Sequence, residues 1–194
     1  MALPRSNKPR PGRRSSPRAD SLSPPRTAFD DALRSLAYRR LSEGEVRERL
    51  GRKHGAADVE EAVAKLKEYR FLDDDALIAD YARDRLRHSP RSAELIEAEL
   101  ERRGIAAEHF RRIFAPAFPE YDPLETALYA LKAQFKGSAL KKLKESPPQS
   151  RREKVLRFLK SRGFDYETMQ EAWEEFRGKI PPSPDDNSED YYLE

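Results

Sequence analysis

Residues 69–87 read YRFLDDDALIADYARDRLR, and the meaning of the three consecutive aspartates decides the fold. Asp73, Asp74 and Asp75 offer oxygen ligands of the kind hard divalent cations take, but such sites need ligands that converge from several elements. Three adjacent side chains point in different directions. The apolar residues that follow recur at helical spacing, with Leu77, Ile78, Tyr81, Ala82 and Leu86 on one face. Aspartate is a leading N-cap residue, and acids are favoured in the first helical turn by the dipole. With Phe71 and Leu72 closing the element before it, the triplet marks a helix start at the boundary between two helical units.

The same start signal recurs outward from this point. TAFD at 27, SEGE at 42, DPLE at 122 and SRRE at 150 each place a cap residue three positions before an acid. There the cap oxygen accepts from a first-turn amide while the acid faces the positive end of the helix. Gly55, Gly104 and Gly163 each follow an amphipathic run, where a left-handed glycine closes a helix at no Cβ cost.

Registering the chain on those glycines exposes an internal repeat. Val46 and Leu50 correspond to Ile96 and Leu100 and to Val155 and Leu159, and Val59/Ala62/Val63 to Phe110/Ile113/Phe114 and Met169/Ala172/Trp173. A further helix precedes each pair, with faces Phe29/Leu33/Leu36/Ala37, Leu77/Ile78/Tyr81/Ala82 and Leu124/Leu128/Leu131/Phe135. The units recur every 50 to 59 residues or so, unlike helical repeats of about 33 or 34 residues. A three-helix unit of this size buries little surface alone, so neighbours must stack.

The predicted fold is therefore all-α, with three tandem three-helix repeats forming an elongated curved array between disordered termini. The repeats are expected at 27–72, 73–118 and 119–180, the last containing a basic connection at 136–149. A basic tail covers 1–26 and an acidic one 181–194; both are rich in Pro and Ser with little to bury, although Tyr191, Tyr192 and Leu193 are able to dock.

Composition narrows the function. The absence of cysteine removes disulfides, thiolate metal sites and thiol nucleophiles, and suits a reducing compartment. No apolar run approaches the roughly 18 to 20 residues of a membrane span, so a cytoplasmic protein with no membrane partner is expected. His54, His88 and His109 lack the paired spacing of a zinc-protease helix and read as solvated. No nucleophile elbow, P-loop or dinucleotide fingerprint occurs. The expectation is no enzyme, with no catalytic, cofactor-binding or metal residues and no cofactor. Trp173 registers with Val63 and Phe114, which points to core packing rather than base stacking.

Charge is uneven. Of the net +3, residues 1–26 carry +6 and residues 181–194 carry −5, leaving +2 for the body. Within the body, residues 136–162 hold ten Lys or Arg against Glu145 and Glu153. A second cluster, Arg83, Arg85, Arg87 and Arg91, follows the Asp-capped helix. Charge runs are commonly solvated faces, but cations at this density also bind phosphates or an acidic protein surface. The residues expected to contact a partner are Arg83, Arg87, Arg91, Lys141, Lys142, Lys144, Arg151, Arg152, Lys154 and Lys160. Neither cluster interleaves aromatics in the manner of a single-strand platform.

The segments ALRSLAYRRLSEGEVRERL (32–50), LKEYRFLDDDALIADYARDRLR (66–87), LIEAELERRGIAAEHF (95–110) and LRFLKSRGFDYETMQEAW (156–173) resemble the RecX family, bacterial regulators of the RecA recombinase, over about 140 residues and in family order. Two departures are HSPRSAEL, where the family has a Gly-containing turn, and Leu77, where it often has an aromatic. The resemblance implies a non-enzymatic modulator that binds the filament RecA forms with ATP on single-stranded DNA. It would lie in the filament groove and restrain filament extension, ATP hydrolysis, strand exchange and co-protease function, in DNA repair and the SOS response. A monomer is expected, with single-stranded DNA a further partner of the basic segments. The alternative is a stand-alone helical DNA- or RNA-binding module using the basic N-terminal tail and third repeat.

Overall fold

The structure, a computed structural model, describes residues 26–179, and the readings made for the two tails lie outside them apart from Arg26. Every regular element among the described residues is an α-helix. In chain order these are α1 (Ala28–Leu36), α2 (Glu43–Gly51), α3 (Ala56–Glu68), α4 (Asp74–His88), α5 (Ala93–Glu101), α6 (Ala107–Ala117), α7 (Pro123–Gln134), α8 (Ser138–Lys144), α9 (Pro148–Ser161) and α10 (Tyr166–Arg177). Their buried side chains form three apolar clusters. The first joins α1 to α3 through Val46, Leu50, Val59, Val63, Leu66 and Leu72. The second joins α4 to α6 through Ile78, Ala82, Ile96, Leu100, Ile105 and Phe110. The third joins α7 to α10 through Leu128, Leu131, Val155, Leu159, Ala172 and Trp173.

Local chemistry sets most of the helix starts. Thr27 and Ser42 head full capping boxes with Asp30 and Glu45, while Asp122 accepts from the Glu125 amide at 2.9 Å. The SRRE signal fails: α9 begins at Pro148 behind Pro147, with Ser150 already inside the first turn. Proline at the first helical position has a fixed φ and no amide to satisfy, so it starts the helix without a side-chain cap.

Other readings also shift. The connection at 136–149 is partly helical, because α8 forms between Gly137 and the prolines and pins Leu143 in the third core. The fourth helix of that unit is thus held by one buried leucine. In α1, Ala37 is exposed and Ala28 and Ala32 occupy the centre instead. Gly104 and Gly163 have φ of +77° and +84°, as a left-handed turn requires. Gly55 does not; it is the extended N-cap of α3. Its counterparts in position are Ala106 and Asp165, the N-caps of α6 and α10, so the first unit's turn is one residue shorter.

Two joints connect the clusters, and they share a design. At the first, the Ser42 hydroxyl caps α2 by accepting from Glu45 N–H at 3.0 Å and donates to the Arg103 carbonyl beside Gly104. At the second, the Ser92 hydroxyl caps α5 through Leu95 N–H at 3.2 Å and donates to the Gly163 carbonyl at 2.8 Å. Each middle helix therefore plants its N-terminus on the glycine turn of the following unit. Both serines are buried, at 0% and 1% exposure. The arginine before each glycine reaches back as well. Arg103 bonds Glu45 at 3.0 Å and the Arg40 carbonyl at 3.0 Å, and Arg162 bonds the Ser89 hydroxyl at 2.7 Å.

Candidate partner-binding surface

The aspartate triplet serves three separate partners. Asp73 is the N-cap of α4 and accepts from Ala76 N–H at 2.8 Å. Asp74, 8% exposed, turns to the first unit and accepts from Glu43 N–H, the first amide of α2, at 3.1 Å. Burial pushes its carboxyl above the ordinary aspartate value even though the Glu43 amide pulls it down. Asp75 turns to α6 and meets His109 Nε2 at 2.5 Å. Sequence reasoning found the cap and missed the two cross-connections. No group of three or more His, Cys, Asp or Glu suited to a metal ion occurs among the described residues.

The second joint uses a tyrosine where the first uses Asp74. Ala93 N–H, the first amide of α5, donates to the Tyr121 hydroxyl at 2.9 Å. Burial drives that phenol up to about 12, against the lowering effect of the Ala93 amide. The histidines are less solvated than expected: His54 stands half-buried with Nε2 at 3.1 Å from Asp31, and only His88, at 3.3 Å from Asp84, is well exposed.

The ten arginines and lysines expected at a partner surface divide. Lys141, Lys142, Arg152, Lys154 and Lys160 are exposed on α8 and α9, with Lys144 half-buried beside them. Arg152 donates to Gln170 Oε1 at 2.8 Å and Lys154 to the Ser146 hydroxyl at 2.7 Å. Arg83 and Arg87 are exposed on α4, Arg83 sharing Asp80 with Arg40 across the first joint at 2.7 and 2.6 Å.

Arg91 and Arg151 are drawn inward. Arg91 pairs with Glu99 and bonds the Ser89 carbonyl and hydroxyl at 3.2 and 3.0 Å. Arg151 is 5% exposed and gives Nε to the Ser146 carbonyl at 2.6 Å. The sequence held a signal for Arg151, because 151, 155 and 159 share one helical face and Val155 and Leu159 are core. Arg85 is likewise packed, 4.5 Å over the Tyr81 ring and 3.4 Å from Glu99.

What fold and surface define is an all-helical protein of linked helical units, three helices in each of the first two and four in the third, with exposed cations on α8 and α9. The family model described as RecX, first three-helix domain, matches residues 28–66. A regulatory protein RecX from Pelodictyon phaeoclathratiforme is 31% identical over 161 residues, covering 82% of this chain and 93% of that protein. One from Geobacillus thermodenitrificans is 34% identical over 144 residues, covering 73% of this chain, which thus spans only 51% of that longer relative. The crystal structure of RecX from Lactobacillus salivarius shares the fold at a TM-score of 0.61 and 18% identity, over 77% of this chain and 94% of that one. The chain belongs to the RecX family of regulatory proteins. No helix among the described residues is long and apolar enough to cross a membrane.

Proposed function

We propose that the protein is a monomeric, cytoplasmic, non-catalytic regulator that binds the RecA filament on single-stranded DNA and restrains its extension. ATP hydrolysis, strand exchange and co-protease function would fall with it. Membership of a family whose members are named regulatory proteins carries this reading. The joints support it physically. Units locked through Ser42 and Ser92 hold weak contacts at fixed spacing along a polymer, where linkage raises affinity through effective concentration.

The contacts are assigned to the exposed cations Arg83, Arg87, Lys141, Lys142, Arg152, Lys154 and Lys160 and the half-buried Lys144, without Arg91 and Arg151. Cations that displace counterions from phosphate, or meet an acidic surface, give binding that weakens with salt. Reversal of three of them, K141E/K142E/R152E, should weaken inhibition of the recombinase's DNA-dependent ATPase and flatten its salt dependence, with the melting curve unchanged. Unaltered inhibition with unaltered salt dependence rejects the surface. Tight binding of the wild-type chain to bare single-stranded DNA, unaffected by recombinase, favours a stand-alone nucleic-acid module instead.

A further inference from the structure

In the first two units, the chain leaving the last helix covers the start of the middle helix. After α3 it delivers the Asp74 carboxylate to Glu43 N–H, and after α6 it delivers the Tyr121 hydroxyl to Ala93 N–H. The corresponding place in the third unit lies between the start of α9 and the end of α10. There the structure has a cleft of about 460 Å³ lined by Pro148, Gln149, Arg152, Trp173, Glu174 and Arg177.

We propose that this cleft is the docking site of the chain's own segment 181–194, PPSPDDNSEDYYLE. Four observations support the assignment. Arg177, the last residue of α10, lines the cleft, and fourteen residues span up to roughly 46 to 50 Å when extended, so reach is ample. The segment holds five acids and no base, opposite in charge to Arg152 at the cleft, to Arg177, which pairs there with Glu174 at 2.6 Å, and to the exposed Lys141, Lys142, Lys154 and Lys160 on α8 and α9. Its Tyr191 and Tyr192 bring rings of the type that Tyr121 packs against Phe114 in the second unit, while Pro148, the first residue of α9, has no amide of the kind that Asp74 and Tyr121 meet. Beside Arg152, the buried Gln170 Nε2 has no hydrogen-bond partner among the described residues, and buried donors are normally satisfied.

Trp173 offers such a segment's tyrosines an aromatic partner, since aromatic edges and faces attract, and α8 and α9 offer cations to its acids. The basic leader is excluded as occupant by its own positive charge. A docked acidic segment also competes with any anionic partner for Arg152, a consequence that rests on the function proposed above.

Trp173 is the single tryptophan of the chain, so its emission reports this cleft without a label. The full chain is compared with a chain ending at Ile180 and with full-length Tyr191→Ala/Tyr192→Ala, which changes no residue of a described helix. Docking predicts a red shift and stronger acrylamide quenching in both variants, and a salt titration that moves the full chain toward the truncated one. Identical emission and quenching at low salt in all three overturns the proposal. A signal in the full chain that depends on protein concentration also overturns it, assigning the cleft to a second copy. The assay contains neither recombinase nor DNA, so its failure leaves the proposed function standing, and failure of the ATPase test leaves the docking standing.

Discussion

Gly44 and Gly104 meet backbone to backbone across the first joint. A Cβ built on Gly44 would stand 2.8 Å from the Gly104 Cα, and one on Gly104 would stand 2.9 Å from the Gly44 Cα. No rotamer relieves such contacts, because the obstructing atoms are main chain on both sides. The close approach lets the Ser42 hydroxyl reach the Arg103 carbonyl.

Alanine normally stabilises a helix relative to glycine by about 1 kcal/mol. Gly44→Ala is expected to invert that sign and destabilise by about 1–3 kcal/mol, the cost typical of overpacking. Gly51, also in α2, has nothing within 4 Å of a built Cβ, so Gly51→Ala should be neutral or mildly stabilising. Urea unfolding of the two variants checks the contrast.

The joint serines each perform two tasks, so their removal should exceed an ordinary cap loss. Ser42→Ala and Ser92→Ala forfeit the cap and also remove the donor to a partly buried carbonyl, costing about 1–3 kcal/mol each. Asn at either position keeps a cap acceptor but is larger than the buried site, so it should not restore stability. Thermal melts of the three variants at each position measure this.

Sequence periodicity made the helices legible because each needs its own apolar stripe, and Val46, Leu50, Ile96, Leu100, Val155 and Leu159 are all 3% exposed or less. Helix starts were legible where a side chain caps, as at Thr27, Ser42, Asp73 and Asp122, and illegible where proline geometry acts instead, as at Pro148. Joints were not legible, because the partner of Ser42 is a main-chain carbonyl 61 residues away, and a carbonyl leaves no mark in residue type. The basic surface was half legible. Charge density located Lys141 and Lys142 but could not separate them from Arg91, which precedes α5 and pairs with Glu99 inside that helix.

Glu45 gives the first joint a defined acid sensitivity. Burial pushes its carboxyl up, but hydrogen bonds from Arg103, Arg39 and the Ser42 amide outweigh it and hold it at about 2, against 4.5 ordinarily. The unfolded chain therefore binds this proton more readily than the folded one. The stabilisation is present above about pH 4.5 and lost as pH falls toward 2, reduced by solvent screening around the exposed Arg39. Glu45→Gln should lower stability at pH 7 and lose less on acidification to pH 3 than the wild type, in denaturant titrations at both values.

The aspartate triplet should separate under substitution. Asp73→Ala removes a cap and costs about 0.5–2 kcal/mol. Asp74→Asn keeps an acceptor for Glu43 N–H while removing a buried charge whose folded pKa is raised, so its ionised form weighs against folding at neutral pH and acid relieves it. It should match or exceed wild-type stability at pH 7, whereas Asp74→Ala, leaving the amide unpaired, should fall below it. A melting temperature that rises with Mg²⁺ and loses the rise in Asp74→Asn would return the triplet to a metal site.

Arg151 and Arg152 are neighbours in sequence with opposite expected phenotypes. Arg151 lies on the Val155 and Leu159 face, and its Nε–H bond to the Ser146 carbonyl ties the α8–α9 turn to the helix. Arg152 projects from the exposed side, its only described bond reaching the Gln170 side chain. Arg151→Ala should therefore destabilise by about 1–3 kcal/mol, the penalty for leaving a partly buried acceptor unmet, with partner binding of the folded fraction unchanged. Arg152→Ala should leave the melt within about 0.5 kcal/mol, as for an ordinary surface site, and weaken filament binding more at low salt than at high salt. Chemical denaturation and filament titration run on the same two proteins decide it, and loss of binding in Arg151→Ala at full folding would move the contact surface to the inner face of α9.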